Sequence, residues 1–494
     1  MEDEQFVKDT EEITENRELS IWEALIPVFA LVGMLAYNVF VYGDEALSGS
    51  NQFILLLGSS VAAIVGVFNK VSFDSMIEEV ATNIKATTGA ILILLLVGSL
   101  AGTWLISGII PTMIYYGLQI LHPTIFLAAC VVICAVISVA TGSSWTTSAT
   151  VGIALIGIAE ALGISVGMTA GAILSGAYFG DKLSPLSDTT NLAPAMAGTD
   201  IFTHIRYMTL TTVPTIIITL IVFVILGLTL ETSGTADTAS ILSSIEASFN
   251  ISPWLFAVPL LVIVLIVKKT PPLIALLLGT LLGAVAALFF QPNIVAEAAG
   301  AESLTFESAY RGVMNAITVD TSITTENANL NDLFSSGGMA GMLGTIWLII
   351  CAMVFGGIMD AIGALAAISR ALLNLFHTTF GLFTSTVISC LALNATASDQ
   401  YLAIVVPGKM FAKAYKDKGL APENLSRSLE DSGTVTSVLI PWNTCGAYHS
   451  GVLGVPVASY FVYAIFNYLS PFMTLIFAAF NIKIKQLASK TTEA

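Results

Sequence analysis

Residues 89–110 read GAILILLLVGSLAGTWLISGII, an uncharged run that exceeds the roughly 20 residues needed for a bilayer-spanning helix. A second uncharged run covers residues 208–228. Of all 494 residues, 11% are charged and 55% are hydrophobic. A soluble protein of ordinary composition has about 25% charged residues. The sequence therefore predicts an all-α polytopic membrane protein.

The composition and motifs argue against several other classes. A net charge of −16 has the wrong sign for contacts with nucleic-acid phosphates. The cysteines lie in apolar segments without a neighbouring histidine at metal-ligand spacing, so we expect buried apolar roles and no zinc or haem site. They are Cys130, Cys134, Cys351, Cys390 and Cys445. No H-E-x-x-H, P-loop or G-x-S-x-G motif occurs, so we expect neither an enzyme nor a cofactor.

The two halves of the chain resemble each other. The segment Ser72-Phe73-Asp74-Ser75 matches Thr305-Phe306-Glu307-Ser308 at a shift of about 230 residues. Further along, matches occur at a shift of 255 residues. They pair Gly102 with Gly357, Gly108 with Gly363, Thr141 with Thr396, Ser143 with Ser398, Ser144 with Asp399, Asp188 with Asn443 and Thr189 with Thr444. The constant order of these matches indicates an internal duplication, as in many transporters.

The positions of Lys and Arg predict that the two halves are inverted relative to each other. Short basic loops remain cytoplasmic. The basic loop 409–427 corresponds to residues 154–172, which contain no Lys or Arg. The long loops 231–252 and 291–338 are acidic and almost free of basic residues, which places them outside. We therefore expect both termini in the cytoplasm and five crossings in each half.

We predict ten spans, two of them interrupted. They cover residues 22–42, 51–68, 89–110, 165–193 (interrupted), 208–230, 253–267, 272–290, 339–363, 428–448 (interrupted) and 452–480. Residues 124–160 and 380–414 each have two short apolar arms around a polar tip and are predicted as re-entrant hairpins. The predicted organisation is an acidic cytoplasmic tail (1–20), a first repeat (21–230), an external linker (231–252), a second repeat (253–482) and a cytoplasmic tail (483–494). The oligomeric state, a homo-oligomer included, stays open.

The hairpin tips and interrupted spans bring five carboxylates to predicted membrane depth. They are Asp181, Asp188, Asp399, Glu430 and Asp431. An ionised carboxylate away from water usually pairs, binds a cation or takes up a proton. Neighbouring hydroxyls and amides are oxygen ligands that suit Na+. The candidate neutral ligands are Thr141, Ser143, Ser144, Thr189, Asn394, Thr396, Ser398, Ser432, Thr434, Asn443 and Thr444.

Lys182 lies among these carboxylates and has two interpretations. It is either a charge partner in transport or one side of a structural ion pair with Asp188 or Glu430. For the carboxylates, the sequence predicts a cluster at the interface of the repeats in which Na+ and protons compete.

Three long segments resemble one family, the NhaC-type Na+/H+ antiporters of bacteria. They are GAYFGDKLSPLSDTTNLAPA (176–195), NATASDQYLAIVVPGKMF (394–411) and SRSLEDSGTVTSVLIPWNTCGA (426–447). The likeness extends over about residues 22–482. It implies inverted repeats with two re-entrant hairpins in the cell membrane, and exchange of external H+ for internal Na+, sometimes Li+, in pH homeostasis.

The resemblance also implies an alternative activity, because some members of the family are described as exchanging malate with protons for lactate with sodium. A carboxylate substrate needs a cationic anchor or helix amino termini at the site, and Lys182 is a candidate anchor. The surplus of acidic groups over this single Lys favours the cation exchanger. The expected partners are therefore Na+, H+ and the lipid bilayer, and the expected mechanism is alternating access with one hairpin opening to each side.

Overall fold

The computed structural model describes residues 19–487 apart from 43–45, 47–48, 230–237, 269, 326–333 and 376–377. The described part is helical, with one antiparallel pair of short strands. By length and composition, eight of its helices can cross a membrane, or up to ten if each bent pair forms one span. The predicted all-α polytopic fold is confirmed. Residues 1–18 of the predicted acidic tail and 488–494 of the carboxyl-terminal tail lie outside the described residues.

The first half of the chain contains three long helices, a hairpin, an interrupted helix and another long helix. Its helices are α1 Ile21–Tyr42, α2 Ser50–Phe68, α3 Phe73–Ile106, α4 Ile109–Ile120, α5 Pro123–Thr141, α6 Ser144–Thr147, a π-helical turn Ser148–Gly152, α7 Ile153–Ala161, α8 Val166–Leu183, α9 Asp188–Ala197 and α10 Ile201–Thr229. Helices α5 to α7 form hairpin 1. The break between α8 and α9 lies within the predicted interrupted span.

The second half repeats this order, with additional short elements before its third long helix. Its elements are α11 Thr238–Ser248, a 3-10 turn Pro253–Phe256, α12 Ala257–Val267, α13 Pro272–Phe290, α14 Pro292–Ala298, α15 Phe306–Thr318, β1 Thr321–Ser322, β2 Ser335–Ser336, α16 Gly338–Gly341, α17 Leu343–Ala361, α18 Ala364–Leu375, α19 Thr379–Thr396, α20 Gln400–Asp417, α21 Pro422–Leu429, a π-helical turn Glu430–Thr434, a 3-10 turn Ser437–Leu439, α22 Thr444–Leu453, α23 Val457–Tyr460, a 3-10 turn Phe461–Tyr463 and α24 Ile465–Ala479. Helices α19 and α20 form hairpin 2.

Turns with left-handed backbone occur at matching places in the two halves. Gly108 and Gly363, with φ of 78° and 75°, precede the short helices α4 and α18. Further matching pairs follow the second arm of each hairpin and the interrupted helices: Gly163 with Gly419, and Gly198 with Gly454. Glycine adopts this conformation without a steric penalty, so each pair fixes the same turn twice. The element order thus agrees with a duplication, while the inversion and the number of crossings per half stay predictions.

Helix caps refine the alignment of the halves by one residue. Ser187 caps α9, and Asn443 caps α22. Similarly, Ser143 caps α6 at the tip of hairpin 1, and Asp399 caps α20 at the tip of hairpin 2. The structure therefore matches Ser143 rather than Ser144 with Asp399. Sequence matching placed the two tips one residue out of alignment, because it does not distinguish between adjacent polar residues such as Ser143 and Ser144.

The predicted hairpins, 124–160 and 380–414, agree within a few residues with the observed ones. The first arms of the observed hairpins are longer than expected. Helices α5 and α19 each pass the length and composition test for a membrane crossing on their own. Proline at the start of α5 fits the first turn of a helix, and no charged residue interrupts the arm before its tip. Length and composition do not distinguish such an arm from a full span.

Small residues let the interrupted helix α8 pack closely on hairpin 1. A side chain at Gly176 or Gly180 would collide with the backbone carbonyl of Val131 or Ala135 in α5. Ser138 in the same arm donates a hydrogen bond of 2.6 Å to the carbonyl of Ala177. Close backbone approach of this kind is the usual mode of helix packing in membranes. It fixes the first hairpin tip against the break after Leu183.

Candidate ion-binding site

A cavity of about 440 Å³ lies where both hairpin tips meet the interrupted helices. Asp181, Asp188 and Asp399 line it, and none of its described lining residues is Lys, Arg or His. It also contacts the turn between α12 and α13, where Pro271 and Pro272 are exposed. The cavity therefore reaches the surface of the protein at this turn.

The tip of hairpin 1 holds Asp181 through Ser144. The backbone N–H of Ser144 donates to Asp181 Oδ2 at 3.1 Å, and its hydroxyl donates to the same oxygen at 2.7 Å. Gly142, with φ of 70°, turns the chain at this tip, and Ser143 caps the following helix by accepting from Thr146 N. Asp181 is 8% exposed and faces the cavity. The Asp181 carboxylate is therefore held by two hydrogen-bond donors on one oxygen and remains accessible from the cavity.

The tip of hairpin 2 presents Asp399 in a similar way. Asp399 Oδ1 accepts hydrogen bonds from the backbone N–H groups of Tyr401 (2.8 Å) and Leu402 (3.0 Å), which makes it the amino-terminal cap of α20. Ser398 adopts φ of 59°, which is uncommon for a residue with a side chain. Backbone strain of this kind is often found at functional sites. The Tyr401 hydroxyl also donates to Asp188 Oδ2 at 3.4 Å. Tyr401 therefore links two of the three cavity carboxylates, Asp399 through its backbone N–H and Asp188 through its hydroxyl.

Amides connect hairpin 2 to the second interrupted helix. Asn394 Nδ2 donates to the carbonyl of Gly433 at 2.7 Å, and Asn443 Nδ2 donates to the carbonyl of Asn394 at 3.0 Å. The backbone N–H of Thr444 donates to the carbonyl of Ser398 at 2.9 Å. Backbone groups freed by the break are therefore paired by the hairpin, as irregular backbone inside a membrane requires.

A second group of charges lies behind the cavity wall, and we call Lys182, Arg427, Glu430 and Asp431 the buried charge cluster. All four residues are fully buried. Lys182 donates to Asp431 Oδ1 and, at 3.0 Å, to the Ser470 hydroxyl. Asp431 also accepts from the hydroxyls of Thr211 and Thr474. Lys182 therefore pairs with Asp431, and the predicted pairing with Asp188 or Glu430 is wrong. Asp431 was not predictable as the partner, because Lys182 and Asp431 lie in different halves of the chain and are brought together only by tertiary packing.

Glu430 connects the buried charge cluster to the cavity. Its Oε1 accepts a hydrogen bond of 3.0 Å from the hydroxyl of Thr189, which lines the cavity. Its Oε2 is buried with no hydrogen-bond partner among the described residues. Glu430 and Asp431 begin a π-helical turn, a geometry that is rare and frequent at functional sites.

The structure divides the predicted site residues into two sets. Those that line the cavity are Asp181, Asp188, Asp399, Thr141, Ser143, Thr189 and Thr444. Ser144 joins them through Asp181. Those outside its lining are Glu430, Asp431, Lys182, Asn394, Thr396, Ser398, Ser432, Thr434 and Asn443. Glu430 and Asp431 lie outside the cavity lining, but Glu430 is bonded to Thr189 of that lining, so a single cluster of all five carboxylates stays a prediction.

Several residues that line the cavity were not predicted from the sequence. Gln400, Tyr401 and Trp145 line the cavity next to the hairpin tips, and their adjacency to the polar tips was an available signal. Thr87 in the middle of α3 also lines the cavity. Nothing in its local sequence distinguishes it, since α3 reaches the site only through tertiary packing.

Comparison with known proteins places the chain in a family. The model of the Na+/H+ antiporter family matches residues 176–482. The Na(+)/H(+) antiporter NhaC of Alkalihalophilus pseudofirmus is 37% identical over 87% of this chain and 91% of its own length. The malate-2H(+)/Na(+)-lactate antiporter of Bacillus subtilis is 37% identical over 88% of both chains, and the arginine/ornithine antiporter ArcD of Halobacterium salinarum is 33% identical over 94% and 93%. This protein therefore belongs to the Na+/H+ antiporter family, among its NhaC-type members.

Proposed function

We propose that this protein is a secondary active transporter that exchanges internal Na+ for external H+ by alternating access. The observation that carries the proposal is the cavity, in which Asp181, Asp188 and Asp399 face a common space without a cationic side chain among its described lining residues. Three carboxylates that line one cavity need cations or protons from solution to offset their mutual repulsion. Such a cavity binds either Na+ or H+, which is the requirement for exchange.

Neutral oxygen ligands complete the proposed Na+ site. Thr141, Ser143, Thr189 and Thr444 line the cavity with hydroxyl groups. The buried hydroxyl of Thr141 has no hydrogen-bond partner among the described residues, so it is available to an ion. Hydroxyl oxygens coordinate a hard cation without adding charge. The same ligands would accept Li+, which we include as a second substrate cation.

The alternative is coupled exchange of organic acids, as the name of the Bacillus subtilis relative indicates for that protein. A carboxylate substrate requires a cationic anchor or helix amino termini at the site. The amino termini of α6, α9 and α20 at the cavity are already capped by the side chains of Ser143, Ser187 and Asp399. Lys182, the candidate anchor, is fully buried, bonded to Asp431 and outside the cavity lining. The acidic cavity therefore favours a transported cation.

The direction of the cavity supports an inward-open state. It reaches the surface at the turn 270–272, which the distribution of basic residues assigns to the cytoplasm. On this topology both termini are cytoplasmic, the protein resides in the cell membrane, and hairpin 1 closes the opposite side. Trp145 of hairpin 1 stacks on Tyr448 of α22 at a ring distance of 3.9 Å, and Ser148 bonds His449 at 2.9 Å, so this side is tightly packed.

Exchange is tested in inside-out vesicles from a host that lacks its own sodium antiporters. The vesicle interior is acidified, NaCl is added, and a pH dye records the response with and without malate and lactate. The proposal predicts alkalinisation by Na+ alone, its loss in Asp399→Asn and its retention in Asp417→Asn, an exposed aspartate at the end of α20. A response that requires the organic acids would replace the proposal with the alternative.

A further inference from the structure

Arg427 carries a fully buried guanidinium group. Its side chain is fully buried, and none of its three guanidinium nitrogens has a hydrogen-bond partner among the described residues. Its guanidinium lies over the ring of Tyr207, at 4.5 Å from the ring centre, and 5.6 Å from that of Phe477. Aromatic rings offset only part of the cost of burying a charge. A fully buried guanidinium with all donors unused requires a further explanation.

Asp431 lies in the same groove, about one helical turn along the chain. It bonds Thr211 of α10 and Thr474 of α24. Arg427 contacts Tyr207 of α10 and Phe477 of α24, each about one turn from those threonines. Residues three or four apart on a helix are neighbours on its surface. The groove between α10 and α24 therefore holds Asp431 with two buried cations around it, Lys182 from α8 and Arg427 from its own helix.

The backbone between these charges has a geometry that permits a change of register. The π-helical turn Glu430–Thr434 begins directly after α21, which carries Arg427. A π-helical turn contains an extra residue relative to an α-helix, so its conversion to α-helix reorients the side chains within the turn, Asp431 included, relative to the helix that precedes it. This reorientation would move Asp431 relative to Lys182, which lies on α8. It would also alter the distance between Asp431 and Arg427.

We propose that Arg427 is the alternative partner of Asp431. It forms an ion pair with the Asp431 carboxylate when Lys182 moves away from that carboxylate. Arg427 is then a positioning residue, since it acts on the transport site through Asp431 and Lys182. Lys182 follows Asp181 in sequence, so its release would place a cation beside the acidic cavity when Na+ has left. This role in the cycle rests on the proposed exchange function, whereas the exchange of partners itself does not.

The exchange of partners is tested by thermal unfolding of purified protein. The variants are Lys182→Met, Arg427→Met and the double variant. Either cation alone can form an ion pair with Asp431, so each single variant keeps one partner for this carboxylate. We therefore expect the double variant to lose clearly more stability than the sum of the two single losses. Additive losses would overturn the proposal. A Lys182→Met chain that does not fold would overturn it as well, because Arg427 would then have failed to replace Lys182.

Transport kinetics test the role of Arg427 in the cycle. We expect Arg427→Met to reduce the maximal exchange rate about tenfold with little change in the KM for Na+, and Arg427→Lys to restore most of the rate. Wild-type rates in Arg427→Met, or equal losses in both variants, would overturn the role. If the wild-type protein exchanges no Na+ at all, the proposed function fails, and the unfolding measurements still decide whether Asp431 has two partners.

Discussion

The acidic cavity and the buried charge cluster contain similar residues in opposite electrostatic settings. In the cavity, Asp181 and Asp399 are held by hydroxyl and backbone N–H donors and keep an open side. In the cluster, Asp431 is surrounded by Lys182 and three hydroxyl groups. Dipoles hold a carboxylate in place without neutralising it, whereas a buried Lys neutralises it. The cavity therefore needs an ion from solution, and the cluster does not.

This contrast separates residues that bind the transported ion from residues that maintain the protein around it. Sequence reasoning treated all five membrane carboxylates alike, because each interrupts an apolar segment. Their neighbours in space differ, and those neighbours determine whether a carboxylate is available to Na+.

The largest effect is expected from Asp431→Asn. Loss of this charge leaves Lys182 buried and unpaired, which costs about 3–5 kcal/mol in comparable buried pairs. We expect a large fall in the thermal unfolding temperature, measured in detergent by fluorescence-detected size exclusion. Lys182→Met/Asp431→Leu removes both charges and should recover most of the loss. Equal instability of the single and double variants would argue against an ion pair.

Next in size is the effect of neutralising the cavity. Asp188→Asn and Asp399→Asn should each reduce exchange by about 100-fold or more, with normal expression and unfolding temperature. Asn is as good as Asp at a helix amino-terminal cap, so Asp399→Asn keeps the start of α20. Exchange at wild-type rate in both variants would remove the cavity from consideration. Asp417→Asn is the matched surface control.

The dependence of exchange on pH should follow from competition at the cavity carboxylates. A carboxylate inside a membrane takes up a proton or pairs with a cation, so protons from the cytoplasm compete with Na+ and exchange should rise by about tenfold as internal pH increases from 6 to 9. The measurement is the initial rate of dye response at fixed Na+ in vesicles clamped at each pH. A flat profile would show that Na+ and H+ do not share these groups.

A smaller effect is expected from Ser144→Ala. This variant removes the 2.7 Å hydroxyl bond to Asp181 and keeps the backbone bond. Hydrogen bonds to charged groups contribute about 1.5–3 kcal/mol, part of which the backbone donor and the bound ion retain. We expect the KM for Na+ to rise about threefold to tenfold without loss of maximal rate. Ser60→Ala, at an exposed hydroxyl of α2, should leave both constants unchanged.

Much of the fold was predictable because apolar length and charge placement are local signals. The prediction of 272–290 coincides with α13, and that of 253–267 coincides with the 3-10 turn and α12. Helix α3 extends well before the predicted start at residue 89 because its amphipathic first turns contain Asp74, Glu78 and Lys85. Such turns are helical without being uniformly apolar, so a hydropathy window excludes them.

The site was predictable in composition and less so in geometry. Asp399 and Ser143 lie at hairpin tips because their side chains cap the following helices, and capping is a local signal. The Lys182–Asp431 pair joins α8 to the π-helical turn Glu430–Thr434 of the other half, and a contact between distant parts of the chain leaves no local signal in the sequence. Glu430 and Asp431 of this turn lie outside the cavity lining.

We propose that the cavity, and not the buried charge cluster, binds the transported cation. Binding of radioactive sodium to purified protein at alkaline pH distinguishes the two. We compare wild type, Asp181→Asn, Asp399→Asn and Lys182→Met/Asp431→Leu, each confirmed to be folded. We expect binding to be lost in the two cavity variants and retained in the double variant of the cluster. Retained binding in the cavity variants with loss in the double variant would contradict it.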